Sequence, residues 1–196
     1  MFPFLTIFII FLLVLAYVLR KSTRREEEVN ARFWERESAA NTTRKQDLST
    51  LNYISIPQDL CDSIHASDEG ITNDCKILSD LSNKKIVNLS QFSNTDLKLK
   101  YGIANLGVLS EYDENYTTLI CTLVQLSKKL IDCGQSEAAI RLLRFGIDCQ
   151  SDISENYTLL AALYKESSQD GPLAELYSRI QLLPADKQTL IRSRLQ

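Results

Sequence analysis

The sequence has little histidine, methionine or glycine, and no strong excess of charge of either sign. One histidine and one methionine in 196 residues leave little material for a metal or acid–base site. Six glycines leave little room for a phosphate-binding loop, and neither G-x-x-x-x-G-K-[ST] nor G-x-G-x-x-G occurs. The net charge of −3 lacks the electrostatic signature of a nucleic-acid-binding protein. These absences predict a protein without catalysis, cofactor, small-molecule substrate or nucleic-acid partner.

The cysteines do not form a pattern typical of disulfides or of metal ligation. They are Cys61, Cys75, Cys121, Cys133 and Cys149. An odd count with no C-x-x-C suits a reducing compartment. Cys61 and His65 are four positions apart, but no second pair at ligand spacing completes a tetrahedral zinc site. We therefore expect no metal site and interpret the cysteines as small buried hydrophobic residues.

The first residues of the chain form a long apolar run. Residues 2–19 read FPFLTIFIIFLLVLAYVL, without a charge, and would form about 27 Å of helix. A buried core helix is one alternative, although core helices are rarely apolar on every face. A cleavable signal peptide is another, but no basic residue precedes the run and no small-x-small site follows it. We predict that residues 1–19 are a transmembrane anchor, in contact with membrane lipid through residues 2–19.

Basic residues follow this run at once and predict its orientation. Arg20, Lys21, Arg24 and Arg25 stand on its C-terminal side, and no basic residue stands on the other side. By the positive-inside rule, the body of the protein should lie in the cytoplasm and the N-terminus outside. The predicted localisation is therefore the cell membrane, with a single pass.

A charged stalk and a linker separate the anchor from the C-terminal half. Residues 20–47 hold eight basic and six acidic residues without glycine or proline, so we expect the anchor helix to continue through this juxtamembrane stalk. Phe33 and Trp34 interrupt the polar stalk and are expected to contact the C-terminal domain, the lipid surface or a partner. Residues 48–93 are predicted to be an irregular linker with one short helix around Cys75.

The C-terminal domain, residues 94–196, shows apolar stripes at helical spacing. Asn94 is expected to cap a helix whose stripe runs through Leu97, Tyr101, Ala104 and Val108. Four more stripes follow: Leu119, Leu123, Leu126 and Leu130; Ala139, Ile140, Leu143 and Ile147; Tyr157, Leu160, Ala161 and Tyr164; and Leu173, Leu176, Tyr177 and Ile180. Short breaks between these stripes predict antiparallel neighbours. The predicted fold is therefore all-α.

Residues 120–153 and 154–187 resemble two tetratricopeptide repeats, which are helix-turn-helix units of about 34 residues. The residues that match core or turn positions are Leu123, Leu126, Leu130, Gly134 and Ala139 in the first unit, and Tyr157, Leu160, Ala161, Tyr164, Tyr177 and Ile180 in the second. Three residues depart from the usual pattern: Ser127, Gly146 and Leu173, the last unless a one-residue insertion moves Ala174 into its place. The motif Glu-Asn-Tyr-Thr occurs at 114–117 and again at 155–158, 41 positions apart, which indicates two similar helix starts. The resemblance implies an array of helical hairpins.

Several further segments share a layout with known membrane proteins. They are 33–37 (FWERE), 40–41 with 44–45, 51–57 (LNYISIP), 94–98 (NTDLK), and 101–102 with 105–106. On these segments the chain resembles an uncharacterised family of single-pass membrane proteins from anaerobic Gram-positive bacteria. The resemblance implies an anchored helical-repeat protein without an assigned reaction.

A helical-repeat array offers a groove to peptides or helices and needs no chemistry to bind them. The sequence therefore predicts a membrane-anchored scaffold or adaptor, not an enzyme, that binds an unidentified protein partner. In the 34-residue register six side chains face the groove: Val124, Lys128, Ile131, Thr158, Ala162 and Lys165. The alternative is an accessory subunit of a membrane enzyme or transport complex, recruited through the anchor.

Overall fold

The computed structural model describes residues 3–65 and 68–195, which form eight α-helices and no strand. The helices are α1 (Pro3–Thr42), α2 (Glu69–Ser82), α3 (Asn94–Tyr101), α4 (Leu106–Asp132), α5 (Ser136–Asp148), α6 (Ser154–Glu166), α7 (Asp170–Gln181) and α8 (Ala185–Leu195). Short 3₁₀ helices lie at Gln58–Leu60 and Ile103–Asn105. The predicted all-α fold is confirmed.

The first helix, α1, is continuous from Pro3 to Thr42, because no glycine or proline interrupts residues 4–42. The prediction that one helix continues from the apolar run into the stalk is therefore confirmed as far as Thr42, whereas the last stalk residues, 43–47, are not helical. The predicted anchor begins before this helix, at residues 1 and 2, which lie outside the described residues. Within the described residues, no helix combines the length and the apolar character that crossing a membrane requires. The anchor stays a prediction.

The chain divides into two compact units. The N-terminal unit comprises the residues up to Leu48 together with Phe92–Leu106. The C-terminal unit comprises Ser49–Gln91 together with the residues from Gly107 onward. The four predicted segments divide the chain differently, and their limits stay predictions.

In the N-terminal unit, α3 packs against α1. Ala40 is fully buried in α1, and two ion pairs connect the helices. Lys98 Nζ lies 2.9 Å from Glu37 Oε2, and an Arg36 nitrogen lies 2.5 Å from Asp96 Oδ1. The paired residues are about 60 positions apart in the chain, so local spacing rules do not predict these contacts.

The start of α3 differs from the prediction by one residue. Ser93, not Asn94, caps the helix, because its hydroxyl accepts a hydrogen bond from the Asp96 backbone N–H. The Ser93 backbone N–H in turn donates to the Asp96 carboxylate at 3.0 Å. This reciprocal pair is a capping box, which satisfies two donors at once.

The helical run predicted from Asn94 through Ala104 and Val108 is wrong, because α3 ends at Tyr101. Gly102 has a φ of 85°, in the left-handed region that glycine adopts without steric cost. A 3₁₀ helix follows at Ile103–Asn105 and precedes α4, which contains Val108. The helix therefore ends at this glycine. The prediction used the spacing of the apolar residues, and that spacing does not show the break.

In the C-terminal unit, α4, α5 and α6 confirm three of the predicted stripes, and α6 packs against α5, α7 and α8. The fourth stripe, on α7, is confirmed in part: Leu176 and Ile180 are buried and Leu173 is half-buried, but Tyr177 is exposed. The stripe of α4 is entirely buried: Leu119, Leu123, Leu126 and Leu130. Ala139 is also fully buried, as predicted for the small residue at a helix contact. The sequence analysis missed α8, because Ile191 is the only buried residue among its described side chains and gives no stripe.

Candidate partner-binding groove

The helices α4 and α6 meet at the surface of the C-terminal unit. Lys128 Nζ lies 2.7 Å from Glu155 Oε2, which joins the last part of α4 to the first turn of α6. Glu155, Thr158 and Ala162 follow one another at three and four positions, so they share one face of α6. Both charged side chains of the pair are nearly half exposed, and such a surface pair contributes at most about 1 kcal/mol. The Lys128–Glu155 ion pair marks the place where the exposed surfaces of α4 and α6 adjoin.

The six predicted groove residues lie at different depths. Lys128, Ala162 and Lys165 are exposed, and Ile131 and Thr158 are half-buried. These five residues are called the groove face from here on. Val124 does not belong to it, because its side chain is only 3% exposed.

The placement of Val124 in the groove is wrong because α4 is buried on several sides at this level. Four neighbouring residues are buried as well: Thr122, Leu123, Leu126 and Ser127. The 34-residue register assumes a helix with one face in the groove and one in the core. On α4 the groove face therefore comprises Lys128 and Ile131, without Val124.

Glu155 is the residue of this surface that the sequence analysis missed. It neutralises Lys128, whereas Lys165 has no ion-pair partner among the described residues. Lys128 and Glu155 are 27 positions apart, so no helical spacing rule connects them. The groove face thus presents one ion pair, one exposed lysine and partly exposed apolar surface.

Two tyrosines of the repeated Glu-Asn-Tyr-Thr motif hold the segment after α5. The Tyr116 hydroxyl lies 3.1 Å from Gln150 O, and the Tyr157 hydroxyl donates to Ser151 O at 2.8 Å. Asn88 adds a hydrogen bond to the Tyr116 hydroxyl at 2.9 Å. Burial raises the pKa of Tyr116 and raises that of Tyr157 to about 12, so both hydroxyls remain donors near neutral pH. The two tyrosines therefore fix the chain between α5 and α6. The expectation that the motif marks two similar helix starts is wrong for its first copy, because residues 155–158 lie at the start of α6 whereas residues 114–117 lie within α4.

Two departures from the repeat pattern, Gly146 and Ser127, have structural explanations. A Cβ atom on Gly146 would lie 2.7 Å from Asn156 Oδ1, so the glycine makes room for the fully buried asparagine. Asn156 Nδ2 donates to Leu143 O at 2.8 Å. Ser127 is buried, and its hydroxyl donates to Leu123 O at 2.7 Å within α4, which satisfies it locally.

Phe33 and Trp34, the candidate stalk contact, lie on the surface of α1. Their ring centroids are 5.4 Å apart in an edge arrangement, and the residues are 52% and 68% exposed. Phe33 precedes Ala40 by seven positions, which places it on the face of α1 that α3 covers further along. Phe33 therefore extends an existing contact face of α1, and the Trp34 ring lies beside it.

A small cleft between α5, α6 and α7 was not predicted. Its charged and aromatic lining residues are Arg144, Asp148, Tyr164, Glu175 and Arg179. Arg179 pairs with Asp148 and lies 3.2 Å from Glu175, and the hydrogen bond with Asp148 raises the pKa of the arginine. The two arginines and the two carboxylates that line the cleft balance in charge, so the cleft has no net positive charge to attract an anion.

The histidine and the cysteines do not assemble a metal site. No group of three or more His, Cys, Asp and Glu residues in the described part of the chain could hold an ion. The Gln135 side chain holds the His65 backbone through two hydrogen bonds of 2.9 Å. The expectation that the cysteines are buried holds for Cys149 but is wrong for Cys133, which is exposed.

Comparison of this chain with protein-family models, with curated proteins and with solved structures finds no match. The resemblances to tetratricopeptide repeats and to the single-pass family therefore stay predictions. The surface of α1 and the arrangement of α4 to α8 are the features that bear on function.

Proposed function

We propose that the protein is a membrane-anchored scaffold or adaptor that binds a protein partner through the groove face, without catalysis. The main support is the packing of α6 against α5, α7 and α8, together with its ion pair to α4. In an array of helical hairpins, each repeat contacts its neighbours in sequence. The first helix of a middle repeat has this set of neighbours, so we interpret α4 to α8 as two tetratricopeptide-repeat-like hairpins followed by a closing helix.

The surface of α1 supports the anchor. Every residue from Ile7 to Leu19 is exposed, and successive residues of a helix point about 100° apart, so this stretch is apolar on all sides. Water disfavours a continuous apolar surface of this size, whereas a bilayer accommodates it. The exposed stretch spans about 20 Å, so the proposed anchor needs residues 2–6 for the rest of its length.

The continuity of α1 bears on the role of Phe33 and Trp34. Trp34 lies fifteen residues after Leu19, which is about 22 Å along the helix. The headgroup region beyond the hydrocarbon is only about 5–8 Å thick, and a usual tilt of about 20° shortens the distance little. An anchor ending at Leu19 would therefore hold the two rings beyond the lipid, which favours a protein contact for them.

The groove face suits a peptide or helix that brings both apolar and acidic side chains. Lys165 is exposed and positively charged, and the half-buried Ile131 and Thr158 offer partly apolar surface. An acidic group near Lys165 would gain a favourable charge interaction. The Lys128–Glu155 pair would remain intact and keep α4 and α6 in register.

Extraction of membranes with alkaline carbonate tests the anchor. The full-length protein should remain in the membrane pellet, and a Leu12→Asp, Val14→Asp double variant should be released. Val29→Asp is the matched control, because Val29 is an exposed apolar residue of α1 beyond the anchor. Release of the unaltered protein by carbonate would contradict the anchor.

Charge reversal tests the groove. We expect Lys165→Glu to reduce co-purification of the partner from native membranes by about tenfold. Arg141→Glu reverses a charge on an exposed position of α5 and should leave co-purification unchanged. Loss of the partner only when Phe33 and Trp34 are replaced by alanine, or when the anchor sequence is exchanged, would favour the accessory-subunit alternative.

A further inference from the structure

Two cysteines line one cleft of the C-terminal unit. Cys61 follows the 3₁₀ helix Gln58–Leu60, and Cys75 lies in α2. Both residues are half-buried and pack against the same hydrophobic core. They line the same open cleft beside Pro57 and Leu78, so a small molecule in this cleft would lie next to both residues.

The surroundings of this pair do not favour metal binding. In the described residues no third His, Cys, Asp or Glu joins the two thiols in a metal-binding group. Burial, followed by the contact with Cys75, raises the pKa of the Cys61 thiol to about 12. A bound metal would require both thiolates to persist, which this environment opposes. Disulfide exchange needs a thiolate only during each attack, which slows the reaction, and its product carries no charge that burial would oppose.

We propose that Cys61 and Cys75 form a two-thiol modification site, which a low-molecular-weight disulfide oxidises to an intramolecular disulfide bond. One cysteine sulfur loses its proton and attacks the oxidant R–S–S–R, which forms a mixed disulfide and releases R–SH. The second cysteine loses its proton and attacks the first cysteine sulfur, which releases the other R–SH. The two protein thiols thus lose two electrons and two protons, and the oxidant gains both.

The disulfide would fix a part of the C-terminal unit that is otherwise held by side-chain contacts. It would attach the segment after Pro57 to α2, and α2 is already joined to α4, because Asp74 Oδ2 lies 2.7 Å from Lys129 Nζ. The two cysteines are 14 positions apart, and closing a loop of this length restricts the unfolded chain. Oxidation should therefore raise the melting temperature of the protein by several degrees.

Mass spectrometry of the full-length protein in detergent tests the proposal. After incubation with oxidised glutathione at mildly alkaline pH, peptide mapping should recover Cys61 linked to Cys75, with a mass loss of two hydrogens relative to the two reduced peptides, whatever adduct forms on the exposed Cys133. The oxidation rate should rise as the pH is raised, because it depends on the thiolate fraction. Melting of the oxidised protein should shift upward, and a reductant should reverse the shift.

Two variants make the result specific. Cys61→Ser should abolish both the mass loss and the melting shift, whereas Cys121→Ser, which removes another half-buried cysteine, should change neither. Stable glutathione adducts on Cys61 and Cys75 without a bond between them would overturn the proposal. Cross-links that join other cysteines, or a mass loss that persists in Cys61→Ser, would overturn it as well.

Discussion

The close approach of Gly146 to Asn156 makes a strong prediction about the packing of α5 on α6. A Cβ atom at position 146 would lie 2.7 Å from Oδ1, 3.0 Å from Nδ2 and 3.2 Å from Cγ of Asn156. Asn156 is fully buried and is held by its hydrogen bond to Leu143 O. We therefore expect Gly146→Ala to destabilise the protein, although alanine is the better helix former.

The expected loss of stability combines one favourable contribution with two unfavourable ones. Replacing a helical glycine by alanine gains about 1 kcal/mol. Overpacking a buried contact costs about 1–3 kcal/mol, and displacing the Asn156 amide from its hydrogen bond costs about 1 kcal/mol more. The net loss is about 1–3 kcal/mol, which lowers the melting temperature of a protein of this size by about 2–12 °C.

Thermal denaturation followed by circular dichroism, on the full-length protein in detergent, measures this loss. Gly171→Ala is the matched control, because a Cβ there meets nothing within 4 Å, and it should be neutral or slightly stabilising. In an Asn156→Ala background, Gly146→Ala should no longer destabilise, so the double-mutant cycle should show a coupling of at least about 1 kcal/mol. A higher melting temperature for Gly146→Ala alone, or no coupling, would refute the packing described here.

Three further predictions concern both units. Gly102→Ala should lower the melting temperature more than Gly134→Ala. Both glycines have a positive φ, but of the two only a Cβ at position 102 would meet backbone atoms, those of Arg44. Equal shifts in melting temperature would contradict this contact. Ala161→Leu should cost about 1–3 kcal/mol in a melting experiment, whereas the exposed neighbour Ala162→Leu should change stability little; similar losses would refute the placement of α6. The hydrogen bonds from Thr95 and then Lys98 hold the pKa of Glu37 below its ordinary value of 4.5, so its stabilising effect is present above that pH and is lost as the pH falls further. Melting temperatures from about pH 6 to about pH 3 should therefore fall less steeply for Glu37→Gln than for the unaltered protein.

The helices could be predicted where a single face carries the apolar residues. The stripe of α4 and the small residue Ala139 are buried as expected, and the break near Gly134 lies where its glycine indicated. These features depend on residues three or four positions apart, which a sequence pattern records directly.

The remaining features depend on contacts between distant residues. Gly102 interrupts the predicted run where the backbone passes Arg44, and Glu155 reaches Lys128 from 27 positions away. Val124 is buried because α4 is covered on several sides, whereas the repeat register describes a helix with one open face. No local spacing encodes such contacts, so the surface of the candidate groove could be predicted only in part.

Site-specific photo-crosslinking in native membranes tests the proposed scaffold most directly. A photoreactive amino acid is placed at Ala162, on the groove face of α6, or at Ala174, an exposed alanine of α7. We predict that position 162 yields a discrete crosslink to one protein and that Lys165→Glu weakens it, while position 174 yields none. Equal crosslinking at both positions, or a crosslink that Lys165→Glu leaves unchanged, would contradict partner binding through the groove face.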